Sequence, residues 1–293
     1  MNLQKLYESK RTVYSMEVFP PKKTSSIDTI YNTLYGLRTL PIDFISVTYG
    51  AGGSAQQKEK TLEIASLIKS EYRIEPLVHL TCLNSTKEEV RQMLDRLNQL
   101  GLKNILVLRG DQSPTVEPKH DFEHASDLAA FIKAYDPSFQ LAGACYPEGH
   151  YDAATLEEDI ENLKYKLDAG VTSLVTQLFF DNEAYYRFRD KMEKAGIHVP
   201  VEAGIMPIVK KSQIERTVSM CGASIPPQLS RMFQRYGDDP QALFDAGIHY
   251  AITQMIDLAA SGISGLHVYT MNNVEVARRI TDGVWSVIES NNR

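Results

Sequence analysis

Short apolar runs alternate with longer amphipathic stretches along the whole chain. The clearest run is Ile105-Leu106-Val107-Leu108, which stops abruptly at Arg109, Gly110 and Asp111. A run apolar on both faces suits a parallel strand covered by helices. Residues 13–19 end in the same way at Pro20-Pro21, and residues 44–48 run into Tyr49-Gly50-Ala51-Gly52-Gly53-Ser54. Residues 77–80, 140–144, 173–177, 201–204 and 265–268 complete a set of predicted strands. Helical spacing fills the intervals: 25–40, a stretch through Leu62, Ile64 and Leu67, 86–99, 125–134, 155–168, 182–195, a stretch from Ser212, and 274–289. Thr86 with Glu89 fits a capping box.

Strands and helices therefore alternate with a period of about 30 residues, which points to a (β/α)8 TIM barrel. A doubly wound open sheet is the rival. The count of strands favours the barrel, and no Pro/Gly/Ser-rich linker divides the chain. The expectation is a single barrel domain over 1–293, with an extra helical insertion at 226–259 before strand eight. Pro226 and Pro240 mark its helix starts.

A barrel builds its chemistry on the rim at the C-terminal ends of its strands. Glu17, Thr48, His79, Arg109 with Asp111, Tyr146 with His150, and Gln177 all fall there. Each has a plain structural alternative. Glu17 lies between Met16 and Val18 on one face of a strand, where a carboxylate is costly unless paired or kept protonated. It is either an ion-pair partner or a proton donor. His79 fits a satisfied buried histidine equally well, Asp111 a loop cap, and Gln177 a backbone partner. The group on one rim says more than any member. The glycine-rich loop at 50–54 suits either a tight turn or exposed N–H groups facing a ligand.

Composition narrows the function. The 293 residues are 43% hydrophobic with a net charge of -6, and no basic stripe suits nucleic acid. No run reaches the length of a membrane span, and the polar N-terminus is no secretory signal. Cys82, Cys145 and Cys221 lie far apart and read as reduced thiols of a cytoplasmic protein. A zinc site on His79, Cys82 and Cys145 lacks a second ligand pair, so no metal is expected.

Nine stretches occur in order: Met16-Glu-Val-Phe-Pro-Pro, Phe44-Ile-Ser-Val-Thr-Tyr-Gly-Ala-Gly-Gly, His79-Leu-Thr-Cys, Leu108-Arg-Gly-Asp, Tyr146-Pro-Glu-Gly-His, Asp168-Ala-Gly, Thr176-Gln-Leu-Phe-Phe-Asp, Gly204-Ile-Met-Pro and His267-Val-Tyr-Thr-Met-Asn. Together they resemble methylenetetrahydrofolate reductases of the bacterial, catalytic-domain-only type. The resemblance implies a barrel holding FAD that reduces 5,10-methylenetetrahydrofolate to 5-methyltetrahydrofolate with NADH or NADPH in a ping-pong cycle. It implies a supply of methyl groups for methionine synthesis, a homo-oligomer, and no adenosylmethionine-binding regulatory domain.

By motif, Glu17 matches the family's general acid, which protonates N10 as the imidazolidine ring opens. Asp111 matches the carboxylate that binds the pterin near the flavin. Negative charge there disfavours the anionic reduced flavin and tunes its potential. Gln177 matches the amide that contacts folate, and Gln213 falls at another substrate contact. Thr48, Tyr49, Ala51, His79, Arg109, Gly110, Asp111, Ala125, Tyr146, His150, Asp159, Asn162 and Lys166 fall on flavin-contacting positions. Arg109, Lys166 and His150 suit pyrophosphate, while Asp159 and Asn162 suit hydroxyl or amide groups. Three positions depart from better-known members. Asn273 replaces an arginine that meets the folate tail, leaving Lys210 or Lys211 to supply that charge. Thr217 replaces a stacking aromatic, and Tyr165 a basic residue beside Lys166.

Overall fold

The apolar runs become strands because helices cover one face and the barrel interior the other. The computed structural model describes residues 2–21, 28–49, 55–112, 117–214, 217 and 222–293. Its strands are β1 Val13–Val18, β2 Phe44–Val47, β3 Glu75–Thr81, β4 Asn104–Leu108, β5 Gln140–Cys145, β6 Val171–Thr176, β7 Val201–Ile205 and β8 Gly265–Tyr269. All pairings are parallel, and β1 pairs with both β2 and β8. The sheet closes as an eight-stranded barrel in chain order, so the open-sheet rival is excluded.

The helices are α1 Leu3–Ser9, α2 Asp28–Leu37, α3 Ala55–Ser70, α4 Lys87–Gln99, α5 Ala125–Tyr135, α6 Leu156–Asp168, α7 Asn182–Lys194, α8 Pro227–Tyr236, α9 Pro240–Ala260 and α10 Val274–Asn291. Residues 211–214 and 217 are also helical. Helices α8 and α9 form the insertion before β8. Pro226 holds the position before α8, and Pro240 opens α9 behind an Asp239 cap. The capping box at Thr86 forms as expected: its hydroxyl accepts from Glu89 N–H, and the Glu89 carboxylate accepts from Thr86 N–H. No helix among the described residues is long and apolar enough to cross a membrane.

Side chains alternate along each strand. In β1, Tyr14, Met16 and Val18 join the main core with Ile30 and Leu34 of α2, while Val13 belongs to an inner cluster. That inner cluster joins Phe44, Leu77, Leu106, Ala142 and Val175 to Leu3 and Leu6 of α1. The N-terminal segment, read from sequence only as polar, is thus an amphipathic plug that closes the barrel floor. The apolar floor leaves polar inner positions to the upper half and the rim.

Candidate active site

Glu17 stands one residue before the end of β1, with its side chain 19% exposed. Its Oε2 lies 3.6 Å from Nε2 of His79 on β3 and 4.0 Å from Nε2 of His267 on β8. His79 is buried, and its Nε2 has no hydrogen-bond partner. Burial pulls this imidazole down to about 4 against the opposing pull of Glu17, so it is neutral at pH 7. A buried ring nitrogen left without a partner is a place where a bound molecule completes the bonding.

Beneath Glu17 runs a column of polar groups. His267 Nδ1 lies 2.6 Å from Ser15 Oγ, and its Nε2 lies 3.3 Å from Ser46 Oγ. The Ser15 hydroxyl donates to Glu202 Oε2, and Tyr7 of α1 donates to Glu202 Oε1 at 2.7 Å. Glu202 is fully buried, and burial pushes its carboxyl up from the ordinary value. Register places Gly265 directly beside Glu202. A Cβ at Gly265 would come within 2.5 Å of Glu202 Cγ, so the glycine makes room for the carboxyl.

A second polar cluster lies outside the barrel mouth, where β4, β5 and α6 meet. Arg109 donates to the Tyr151 hydroxyl at 3.0 Å and pairs with Asp152 at 2.8 Å. Gly110 follows with φ +88°, a left-handed conformation that favours glycine, and turns the chain after β4. His150 packs edge-on to Tyr146 and stacked on Tyr151, and its backbone N–H donates to Asp159 at 3.1 Å. Lys166 Nζ donates to the Ala144 carbonyl at 2.9 Å. Burial lowers His150 and Lys166 and raises Asp159. Asp159, Asn162 and Lys166 follow helical spacing that puts them on one side of α6; Asn162 is exposed and Asp159 buried.

The remaining expected positions are spread around this rim. Thr48 follows β2, and its N–H donates to Val18. Tyr49 is half-buried against the main core, and Ala125 opens α5 as a buried small residue. Ala51 and the glycine-rich loop lie outside the described residues. Asp111 is exposed on the rim, three residues beyond β4. Gln177 follows β6; its N–H donates to Cys145 at 2.7 Å, and its side-chain oxygen accepts from Leu178 N–H. Gln213 is turned onto its own loop, where its Oε1 accepts from Val209 and Lys210 N–H, each at 2.9 Å. Asn273 caps α10 through Glu275 and Val276 N–H. Lys211 pairs with Asp238 at 2.9 Å, while Lys210 is exposed. Thr217 is buried, its hydroxyl 3.8 Å from Met206 sulfur.

The described thiols are not rim groups. Cys82 and Cys145 belong to the core between barrel and helices, and burial pushes Cys82 up to about 12 and Cys145 upward as well. Sequence reasoning missed Ser15, Ser46, Glu202 and His267 as members of a network. The signal was present: Ser15 precedes Glu17 by two residues, and Glu202 and Gly204 alternate with the core residues Ala203 and Ile205.

The family model described as methylenetetrahydrofolate reductase matches residues 2–284. A 5,10-methylenetetrahydrofolate reductase of Escherichia coli (strain K12) is 34% identical over 267 residues, 91% of this chain and 88% of the relative. Methylenetetrahydrofolate reductase 1 of Schizosaccharomyces pombe is 34% identical over 279 residues, 93% of this chain. The chain spans 46% of that longer relative. A Clostridium thermocellum protein whose structure is described as binding two copies of 5-methyl-5,6,7,8-tetrahydrofolic acid superposes with a TM-score of 0.67 at 14% identity, covering 100% of this chain and 99% of that one. That likeness is one of fold. The ordered motifs and the match across nearly the whole barrel converge: the chain belongs to the methylenetetrahydrofolate reductase family.

Proposed function

We propose that this chain is a flavin-dependent reductase that converts 5,10-methylenetetrahydrofolate to 5-methyltetrahydrofolate at the expense of NADH or NADPH. The observation that carries the reading is Glu17, partly exposed at the barrel mouth between two imidazoles, one with an orphaned nitrogen. The residues fit FAD. His79 offers an unsatisfied Nε2, Arg109 and Lys166 offer cations for a pyrophosphate, and Asp159 and Asn162 offer polar groups for hydroxyls. When bound, FAD carries the two reducing electrons from nicotinamide to folate.

The chain itself supplies the proton and the fit. Glu17 protonates N10, which opens the imidazolidine ring and makes the methylene carbon an electrophile. Asp111 binds the pterin from the rim, and Gln177 contacts folate and nicotinamide in turn, as a shared ping-pong site requires. Asp111 also sets a negative charge beside the cofactor. Gln213 acts on the substrate through the loop that it braces. The folate tail meets Lys210, because Asn273 is occupied as a helix cap and Lys211 by Asp238. The reading extends to a single barrel domain, a homo-oligomer and a cytoplasmic role supplying methyl groups for methionine synthesis.

The test is a visible spectrum of the purified protein, followed by anaerobic NADH and then methylenetetrahydrofolate. A band at about 450 nm that bleaches with the first and recovers with the second is expected. A protein that takes up no FAD, or a bleached band that folate does not restore, overturns the proposal.

A further inference from the structure

A short stack of rings stands beside the cations of the rim. Tyr146 follows β5, His150 packs edge-on to it with 4.6 Å between ring centres, and Tyr151 stacks on His150 at 4.3 Å with 28° between the planes. The stack is held at each level. The His150 backbone N–H donates to Asp159, and the His150 Nδ1 accepts from Asp152 N–H at 3.1 Å. Arg109 holds the top ring by donating to the Tyr151 hydroxyl at 3.0 Å. Yet Tyr151 is 71% exposed, the most exposed of the large hydrophobic side chains among the described residues. His150 covers one face of its ring and leaves the other open.

An exposed tyrosine ordinarily turns freely, and a ligand that stacks on it must remove that freedom. Here the hydroxyl bond and the ring beneath have already fixed Tyr151. Every nucleobase has a flat π face, and stacking on an aromatic side chain needs no particular hydrogen-bond pattern. What selects a nucleotide is the neighbour: the guanidinium that holds Tyr151 is one of the two cations offered above to a pyrophosphate. In a dinucleotide one sugar separates each phosphate from its base, so a dinucleotide anchored by Arg109 has a base within reach of Tyr151. The flavin end belongs in the mouth with Glu17 and His79, which leaves the adenine end for the rim.

We propose that Tyr151 is the adenine platform of the FAD site and sets a preference for FAD over FMN. This rests on the flavin reading given above, and Tyr151 stands outside the positions that the family resemblance assigns to flavin. Tyr165 is the internal comparison. It is the next most exposed, at 66%, and precedes Lys166 on α6.

The test is calorimetric titration of the apoprotein with FAD and with FMN, which shares the flavin and one phosphate but lacks adenosine. For Tyr151→Leu, FAD affinity is expected to fall about tenfold, the range of one base–aromatic stack, while FMN affinity stays within about twofold. Tyr151→Phe keeps the ring and removes the hydroxyl bond. Asp152 still holds Arg109 at 2.8 Å, so FAD affinity is expected to stay within about threefold of wild type. ADP carries adenine and diphosphate without the flavin. Its dissociation constant, from competition with FAD, is expected to rise about tenfold in Tyr151→Leu, which decides the matter even where FMN binds weakly. The side chain is exposed, so the midpoint of thermal unfolding is expected to be unchanged. Four results overturn the platform: an unchanged FAD affinity in Tyr151→Leu, equal losses for FAD and FMN, a loss in Tyr151→Phe as large as in Tyr151→Leu, or a loss confined to Tyr165→Leu. Wild-type protein that takes up neither flavin overturns the flavin reading itself, and the platform falls with it.

Discussion

The barrel interior and the β4–β5–α6 rim both concentrate ionisable groups, and they differ in an ion pair that the rim holds open to water. On the rim, Arg109 and Asp152 meet at 2.8 Å with the carboxylate half exposed, so the pair is open to water. In the interior, burial pushes Glu202 up and His79 down to about 4, so both neutral forms gain. The rim thus offers an ion pair at the surface, and the interior holds its titratable groups toward their neutral forms. The carboxylate of Asp152 and that of Glu202 differ because water reaches the first and not the second.

Acid and base titrations sharpen this contrast most. Between about pH 6.5 and 4, the unfolded chain protonates His79 while the folded barrel does not. Stability therefore falls as pH drops through that window, by on the order of 3 kcal/mol at its lower end. Glu202 has the opposite sign: the folded state keeps a proton that the unfolded state loses above about 4.5, so its contribution falls as pH rises. Denaturant unfolding across pH is expected to show the acid slope flattened in His79→Gln and the alkaline slope flattened in Glu202→Gln. Slopes unchanged in both variants would break the comparison.

Gly265→Ala tests the interior by space rather than charge. The added Cβ meets Glu202 Cγ beside a packed strand, and a loss of about 1–3 kcal/mol is expected in chemical denaturation. On the rim, Lys166→Met removes a cation while keeping the length of the side chain. About tenfold weaker FAD binding in a titration of the apoprotein is expected, with little change in thermal stability. The smallest effect is at Asn273. Replacement by alanine removes the α10 cap and costs about 1 kcal/mol in thermal or denaturant unfolding, without raising the KM for folate. A large KM effect there would return Asn273 to the binding surface.

The rim was legible from sequence because each strand announces its end. Leu108-Arg109-Gly110-Asp111 passes from apolar to charged within one step, and Thr86 with Glu89 fixes a helix start by its own chemistry. The family resemblance then supplied roles for these residues. The interior column was not read because its members are scattered over β1, β2, β7 and β8, and become neighbours only when the barrel closes. Glu202 in Val-Glu-Ala-Gly and His267 in Leu-His-Val look like isolated polar residues until alternation is combined with the register that sets β7 beside β8. The floor helix was missed for a related reason. Leu3 and Leu6 are too few for a periodic signal in a segment with Lys5, Glu8, Lys10 and Arg11, although they bury fully against the inner cluster. Gln213 and Asn273 show the opposite limit: a motif position says where a side chain starts, while local backbone donors decide where it turns.

The most direct measurement of the central claim is the pair of half-reactions in Glu17→Gln, followed anaerobically by flavin absorbance. Bleaching by NADH is expected within a few-fold of wild type, because that step needs no proton from Glu17. Recovery on adding methylenetetrahydrofolate is expected to slow by about 10²–10⁴-fold, the range of a lost general acid. Recovery at the wild-type rate would contradict the assignment of Glu17 as the acid.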